Sequence, residues 1–334
     1  METPRTLLEA IVYFSDRKRA HDYFVAVRWP DGIVACPRMG CGDTDVRSIE
    51  RTVTSRSRKV RPEAPKTWTE YLWFCNGCKK QFTAKVGTLF EDSPIGLDKW
   101  LPAVWLLSSD RNGISSYEIG RALKVKQSTA WFMLHRIRTA MSPDNPEALD
   151  GIVEADETFI GGKLQFSKRA RHAKAGGKWD PDLNKTAVLG AVERGGKARA
   201  WAIPDLKRKT MLPKLAEAIH PDSTLFTDGS SVLFSIGREQ FSFHDWVNHA
   251  ASEWVKKGHV HTNNIEGFWS VLRRTLGGTY IHVNPRHLDR YLAEQVFRFN
   301  LREEKDGPRF NEALRGADSK RLTYKNLTAK PNRE

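Results

Sequence analysis

The spacing of apolar and polar residues changes near residue 150. Between residues 97 and 139, apolar side chains recur at helical spacing, as in Ile119, Ala122 and Leu123. From residue 151 the pattern alternates as it does in strands, beginning with GIVEADETFIGG. The intervening segment MSPDNPEALD contains two prolines and several turn-forming residues. We therefore predict a boundary between a helical and a strand-rich region at this segment.

The strand-rich region predicts a particular order of elements. Three early strands and a helix over residues 210–219 precede a fourth strand that ends at Asp228. A further short strand follows, and then a helix that begins with HTNNIEGFWSVLRR. Asp156 lies on the first strand and Glu266 near the start of the last helix. This is the order of the ribonuclease H-like fold, in which three such carboxylates bind two Mg²⁺ or Mn²⁺ ions for displacement at phosphorus. We expect a mixed sheet with flanking helices over residues 151–302.

Each of these acids also has a purely structural interpretation. Asp156 is able to form a salt bridge at a strand end, Asp228 to stabilise a turn, and Glu266 to act as a capping-box partner of Asn263. Three acids in the order of the fold favour catalysis over these alternatives. Two further acids flank the first position, Glu154 and Glu157; they are expected to form salt bridges, with assistance to the metal site as the alternative.

The chain has only four cysteines, and they fall in two close pairs. Cys36 and Cys41 lie in CPRMGC, and Cys75 and Cys78 lie in FCNGC. Four thiolates delivered by two tight turns are the ligands of a structural Zn²⁺ site, which leaves no position open for water. Unconnected cysteines or disulfides are the alternative, and disulfides are disfavoured because the N-terminus does not look like a secretion signal. The sequence predicts a zinc ribbon over residues 30–86.

The segment GISSYEIGRALKVKQSTAWFMLHRIRTA predicts two helices with a short turn at Lys124 to Lys126. The exposed start of the second helix is where a helix-turn-helix recognition helix contacts base edges, and arginines farther along it are expected to contact phosphates. An ordinary helical hairpin is the alternative, since this pattern is easily imitated. The candidate DNA-binding residues are Gln127, Ser128, Thr129, Arg136 and Arg138.

The net charge of +14 favours a polyanionic partner over a merely solvated basic surface. Basic runs recur from Arg51 to Arg61, from Lys163 to Lys178 and from Lys207 to Lys209. The second run is expected to clamp DNA or to form a disordered loop. No apolar stretch reaches the roughly 18 to 20 residues of a membrane-spanning helix. We therefore expect a soluble cytoplasmic protein with no membrane partner.

These patterns predict an α/β multidomain chain. Its expected parts are an N-terminal helical segment (1–29), the zinc ribbon (30–86), the helix-turn-helix (97–140), the ribonuclease H-like domain (151–302), and a C-terminal helix with a polar tail (303–334).

Several motifs together resemble one family. VEADETFIGGK, LFTDGSSVL and HTNNIEGFWSVLRRTLGGTYIHVNPRHLDRYLAEQVFRFN are similar to the DDE transposases of bacterial insertion sequences related to the Merlin transposons. CPRMGC and FCNGCKKQFTAKVGTLFEDSPIGLDKW resemble the zinc ribbon of those proteins, and AWFMLHRIRTAM fits their helix-turn-helix. The resemblance covers about residues 20 to 302.

The resemblance implies a metal-binding triad of Asp156, Asp228 and Glu266. Asparagine or histidine also occurs at the third position in this group, so Asn263 competes with Glu266; a carboxylate binds a dication more strongly than an amide, which favours Glu266. Arg273 lies two helical turns after Glu266 on the same helix face, where it would contact the DNA backbone. Asn263 is likewise a candidate for DNA contact.

The implied activity is DNA transposition. The N-terminal modules would bind terminal inverted repeats, and the catalytic domain would cleave at the element ends and transfer the 3′-OH ends to target DNA. A homodimer or larger synaptic assembly is expected, because two ends must be processed together, and the protein would be associated with the bacterial nucleoid. The alternatives are a nuclease that only hydrolyses and a zinc-ribbon DNA-binding regulator without catalysis.

Overall fold

The chain folds into two compact units in the computed structural model, which describes residues 3–54, 67–161 and 185–329. The first unit comprises residues 1–110, 116–141 and 304–334, and the second comprises residues 111–115 and 142–303. The predicted helical, ribbon and helix-turn-helix segments therefore share one unit, and the C-terminal segment belongs to it as well. Among the described residues, no helix has the length and apolar character needed to cross a membrane.

The described residues form eleven α-helices and eight strands. The helices are α1 (Leu7–Ser15), α2 (Arg17–Arg28), α3 (Leu97–Ser109), α4 (Ser116–Leu123), α5 (Gln127–Ala140), α6 (Arg208–Ala218), α7 (Ser231–Gln240), α8 (Asn263–Arg274), α9 (Leu288–Asn300), α10 (Asp306–Arg315) and α11 (Tyr324–Thr328). The strands are β1 (Val46–Thr54), β2 (Thr67–Cys75), β3 (Gln81–Phe82), β4 (Ile152–Ile160), β5 (Thr186–Glu193), β6 (Ala198–Ile203), β7 (Thr224–Thr227) and β8 (Phe243–Trp246).

Two of the predicted basic runs fall wholly or mostly outside these residues. The run from Lys163 to Lys178 lies entirely outside the described residues. Of the run from Arg51 to Arg61, only the part up to Thr54, at the end of β1, is described. The predicted DNA clamp and the greater part of the first basic run therefore lie outside the described residues.

In the first unit, β1, β2 and β3 form an antiparallel sheet in that order. Cys75 ends β2 opposite Val46, so the second cysteine pair begins where the strand turns. Trp73 of β2 lies beside Phe82 of β3, with ring centroids 5.6 Å apart, and both rings are buried. The sheet and the four clustered cysteines are compatible with the predicted ribbon.

The described part of the C-terminal segment, up to residue 329, packs into the first unit and contains the predicted helix as α10. Phe310 of α10 packs against Phe14 of α1 and Trp105 of α3, with ring centroids 5.4 and 5.1 Å away. Leu322 and Leu327, which lie beyond α10, are buried. The segment thus contributes apolar side chains to a core that it shares with α1 and α3. Its polar composition gave no indication of this packing.

In the second unit, the sheet has the strand order β6-β5-β4-β7-β8. β5 pairs antiparallel with β4 and with β6, whereas β7 runs parallel to β4 and to β8. The sheet is therefore mixed, as predicted, with β4 at its centre. The helix α7, between β7 and β8, was not expected from the sequence.

Alternate residues of β4 serve opposite faces of this sheet. Val153 and Ala155 are buried in a cluster that includes Met211 of α6 and Leu233 of α7. The other face is covered by α8 and α9, whose apolar residues pack on β5 and β6. Glu154, which lies between the two apolar residues, bonds to the first turn of α8. Helices thus flank both faces, and the carboxylates of β4 alternate with its core residues.

Candidate metal centre

The first predicted acid, Asp156, lies near the middle of β4 and faces α8. Its Oδ2 accepts a hydrogen bond of 3.0 Å from the indole nitrogen of Trp269, and its Oδ1 accepts one of 2.8 Å from the backbone N–H of Glu157. Burial, the most important cause, raises the pKa of Asp156 to about 7, and the nearby charges of Asp228 and Glu157 add to the effect. A carboxyl group in this environment favours a neutralising cation.

The second acid, Asp228, follows directly after β7. Because Ala155 is in register with Thr227 in the parallel β4–β7 pair, the next residue on each strand, Asp156 and Asp228, lies at the same level of the sheet. Asp228 Oδ1 accepts a hydrogen bond of 3.0 Å from the backbone N–H of Ser230, which orients the carboxylate at the strand end. The two predicted acids are thus brought together from positions 72 residues apart.

Glu157 completes a cluster with these two acids. Oxygen atoms of Asp156, Glu157 and Asp228 all lie within 4.8 Å of one another. Burial first, and then the charge of Asp228, raise the pKa of Glu157 to about 7. Its buried Oε2 has no hydrogen-bond partner within the described part of the chain. Instead of the salt bridge expected from the sequence, Glu157 adds a third carboxylate to a site that is able to hold a divalent cation.

Glu266 is not a member of this three-carboxylate cluster. It lies in the first turn of α8 with 44% of its side chain exposed. Its Oε1 accepts a hydrogen bond of 3.1 Å from Thr262 and lies 3.3 Å from His249 Nε2. Asn263, the alternative third ligand, is exposed one turn earlier, at the start of α8. The structure therefore unites two of the three predicted ligands and leaves the third position open.

Helix α8 is attached to β4 at successive levels. The backbone N–H of Asn264 donates to Glu154 at 2.8 Å, Trp269 donates to Asp156, and Arg273 donates to Thr158 Oγ1. The helix thus follows the strand from its start to its end. Arg273 retains an exposed surface while its guanidinium bonds to the strand.

The indole of Trp269 fits over a glycine in the neighbouring strand. Gly190 of β5 is the residue opposite Asp156, and a Cβ atom built on Gly190 would come within 2.5 Å of the Trp269 ring. No side chain fits there without displacing the indole, because real Cβ atoms do not approach so closely. Trp269 is a buried core residue of α8, and its hydrogen bond to Asp156 was not predicted from the sequence.

The four cysteines of the first unit form a second candidate metal site. Their sulfur atoms all lie within 4.8 Å of one another, with Cys36 Sγ 3.8 Å from Cys78 Sγ and Cys41 Sγ 3.6 Å from Cys75 Sγ. Tetrahedral Zn²⁺ with Zn–S bonds of about 2.3 Å separates its ligands by about 3.8 Å. The sulfur atoms thus already have the spacing that zinc requires.

The predicted recognition helix has an exposed start and a buried middle. Gln127 and Ser128 are exposed and Thr129 is half-buried, and Gln127 Nε2 donates to Ser116 Oγ at 2.8 Å. Arg136 is buried, and its guanidinium donates to the carbonyl oxygens of Leu322 and Glu91 at 3.0 and 3.1 Å.

The predicted phosphate contacts do not fit these positions. The donors of Arg136 are used inside the first unit, and Arg138 is 1% exposed. The two helices and their short turn are present, with Lys124 in a left-handed conformation (φ 51°). DNA contact through this pair therefore depends on the start of α5.

Comparison with known proteins gives a consistent result. Residues 148–300 match the family described as ISXO2-like transposase domain, and this range contains all the acids described above. The chain is 25% identical over 297 residues to a Halobacterium salinarum protein described as an uncharacterized protein in transposable element ISH50, across 87% of this chain and 92% of that protein. Over 109 residues it is 31% identical to an uncharacterized transposase-like protein of Haemophilus influenzae, across 33% of this chain and 85% of that protein.

Proposed function

Because this chain belongs to the ISXO2-like DDE transposases of insertion sequences, we propose that it cleaves DNA at the ends of its element and joins the resulting 3′-OH ends to target DNA. The observation that carries the proposal is the half-buried pair of Asp156, on β4, and Asp228, directly after the neighbouring strand β7. Two-metal phosphoryl transfer uses such carboxylates to hold divalent cations against a phosphodiester.

The donor set of the site fits Mg²⁺ or Mn²⁺. Asp156, Glu157 and Asp228 offer only carboxylate oxygens, the ligands that these hard cations prefer. Burial first, and then the charge of neighbouring carboxylates, raises the pKa of Asp156 and of Glu157, and a cation bound between them would stabilise their ionised forms. Bound there, two such cations would activate the attacking oxygen and stabilise the leaving oxygen.

The protein's own residues orient this site. The N–H of Trp269 fixes one oxygen of Asp156, and the backbone N–H of Ser230 fixes one oxygen of Asp228. We propose Glu266 as the third metal ligand, since it is an accessible carboxylate on the helix attached to β4 through Asp156. Glu157 is the alternative carboxylate, because it already lies beside the pair, and Asn263 is the alternative on α8.

The first unit is proposed to bind the terminal inverted repeats. Four cysteine sulfurs at zinc spacing support a structural Zn²⁺, and the exposed start of α5 supports base contacts through Gln127, Ser128 and Thr129. Asn263 and Arg273, on the exposed side of α8, would contact DNA near the metal site. Since two element ends react together, the active form would be a dimer or a larger assembly.

A strand-transfer assay tests this function. The full chain is mixed with Mg²⁺, a target plasmid and a labelled element end that still carries its flanking DNA, and joined products are separated from merely cut DNA. Asp228→Asn should abolish both cleavage and joining, whereas Asp222→Asn, at a carboxylate 86% exposed, should leave both intact. Cleavage without joining would indicate a nuclease, and DNA binding without either reaction would indicate a regulator.

A further inference from the structure

Glu154 is a buried carboxylate that no step of the proposed reaction uses. It lies on β4 two residues before Asp156, and its side chain has no exposed surface. Three donors come from the start of α8: the backbone N–H groups of Asn264 and Ile265, at 2.8 and 3.1 Å, and Asn264 Nδ2, at 2.8 Å. Burial of a carboxylate costs free energy unless hydrogen-bond donors surround it. The buried Glu154 therefore requires the start of α8 to lie where its donors reach the carboxylate.

Arg194 attaches the preceding loop to the same carboxylate. Its Nε donates to Glu154 at 2.7 Å, while its other nitrogens donate to the carbonyl oxygens of His259 and His261 at 2.8 and 2.9 Å. The guanidinium also lies 4.9 Å from the ring centroid of Phe226, in β7. The loop that leads into α8 is thus fixed between β4 and β7.

The same arrangement determines where Glu266 lies. Glu154 holds α8 at Asn264 and Ile265, and Asp156 holds it at Trp269. Glu266 is in the first turn, between these two attachments. The negative charge of Glu154 at the helix start also favours this orientation of the helix dipole.

We propose that Glu154 is a positioning residue that sets the distance of Glu266 from the Asp156–Asp228 pair, and hence the affinity of the site for divalent cations. The inference rests on the proposed role of Glu266 as third ligand. Residues that orient a metal ligand typically change metal affinity by about 10- to 100-fold when replaced. Glu154 acts through α8, without contact with metal or DNA.

The test is a double-substitution cycle on the full chain, read by titration with Mn²⁺ alone. Glu154→Gln keeps the side-chain volume and removes the charge, and it should weaken Mn²⁺ binding by about tenfold or more. Glu147→Gln is the matched control: this exposed carboxylate pairs with Lys197, at 2.6 Å, and its loss should leave Mn²⁺ affinity unchanged. Circular dichroism checks that each variant is folded.

The second arm of the cycle separates the inference from the proposed function. Glu266→Ala should weaken Mn²⁺ binding, and adding Glu154→Gln to it should cause no further loss, because the positioned ligand is already absent. Additive losses would overturn the inference and indicate a direct electrostatic effect of Glu154. An unchanged affinity in Glu266→Ala would instead refute Glu266 as a ligand.

A milder variant keeps the test decisive if Glu154→Gln does not fold. Asn264→Ala removes one donor to Glu154 from an exposed residue and leaves the carboxylate paired with Arg194. It should weaken Mn²⁺ binding several-fold, and again only when Glu266 is present. Unchanged affinity in a folded Asn264→Ala protein, together with additivity in any folded Glu154 variant, would sink the proposal.

Discussion

The indole nitrogen of Trp269 donates a 3.0 Å hydrogen bond to Asp156 Oδ2, so a core residue of α8 directly contacts the first acid of the candidate metal site. This bond holds the pKa of Asp156 lower than burial alone would leave it. Together with the backbone N–H of Glu157, which donates to Oδ1, it orients both carboxylate oxygens. The packing of α8 on the sheet and the chemistry of the site are therefore linked through one side chain.

Trp269→Phe should reduce DNA cleavage by about tenfold at neutral pH. The substitution keeps the aromatic packing but removes a hydrogen bond to a charged acceptor, worth about 1.5–3 kcal/mol. Because that bond lowers the pKa of Asp156, its loss should also move the rise of the pH–rate profile to higher pH. Trp201→Phe, in the apolar cluster on the other face of the sheet, should shift neither quantity.

Gly190→Ala should destabilise the second unit and impair cleavage. A methyl group at this position would meet the Trp269 ring at 2.5 Å, and overpacking of this kind typically costs about 1–3 kcal/mol. Gly267→Ala, in α8, is the control, since a Cβ there meets nothing within 4 Å and alanine favours a helix. Urea denaturation measures both; equal stability of the two variants would contradict the close packing of Gly190.

Stability should depend on pH through Asp156 and Glu157. The pKa of each is about 7 in the folded protein, against ordinary values of 3.8 and 4.5. Without metal, the unfolded chain releases these protons between about pH 4 and 7 while the folded chain keeps them, so the free energy of unfolding falls across this window and levels off above it.

Mg²⁺ should offset this loss, because it competes with protons for the same carboxylates. The increase in melting temperature on adding Mg²⁺ should be larger at about pH 8 than at about pH 5.5, as thermal unfolding would measure. The double variant Asp156→Asn/Glu157→Gln should abolish the difference. An equal Mg²⁺ effect at both pH values would argue against a metal site built on these acids.

Removal of zinc should unfold the ribbon. Burial raises the pKa of the Cys36 thiol to about 12, so only a bound cation keeps it as a thiolate at neutral pH. Cys41→Ser should lower the bound zinc from about one ion per chain to near zero, by elemental analysis, and reduce the affinity for element-end DNA. Asp156→Asn should retain the zinc, which distinguishes the two metal sites.

Substitutions at the exposed start and in the buried middle of α5 should affect different properties: DNA binding in the first case and stability in the second. Gln127→Ala and Ser128→Ala alter exposed side chains, so they should weaken binding to the element end by about tenfold without changing the melting temperature. Arg136→Met should lower the free energy of unfolding by about 1–3 kcal/mol, since it leaves two buried carbonyl oxygens without donors, while the salt dependence of DNA binding stays the same. Binding titrations at several salt concentrations measure both effects.

The sequence predicted the elements that carry Asp156 and Asp228 because strand alternation and turn residues are local signals. It predicted the cysteine site because close pairing of all the cysteines is also local. The hydrogen bonds of Glu154 could not be predicted from the sequence, since their donors at Asn264 and Ile265 lie 110 and 111 residues away. The salt bridge expected of Glu154 is nevertheless present, with Arg194 as its partner.

Burial explains the expectations that differ from the structure. Arginine is usually a surface residue, yet Arg136 is buried because the carbonyl oxygens of Glu91 and Leu322, far from it in the sequence, accept its hydrogen bonds. Glu157 was expected in a salt bridge, but β7 brings Asp228 beside it in place of a cation. Helix α7 follows the turn residues after Asp228 directly, and its buried Leu233 and Ile236 stand at helical spacing, a local signal that the prediction from the sequence did not use.

The division of the first unit between both ends of the chain has a consequence for biosynthesis. A ribosome synthesises all of residues 142–303 before it makes α10, which packs against Phe14 and Trp105. Until α10 is made, the aromatic rings of the nascent first unit that pack against it remain exposed to solvent. A message truncated shortly after residue 303 would yield a protein whose transposase domain is complete but whose first unit is exposed to chaperones and proteases, so translation through α10 is a condition for a first unit that persists in the cell.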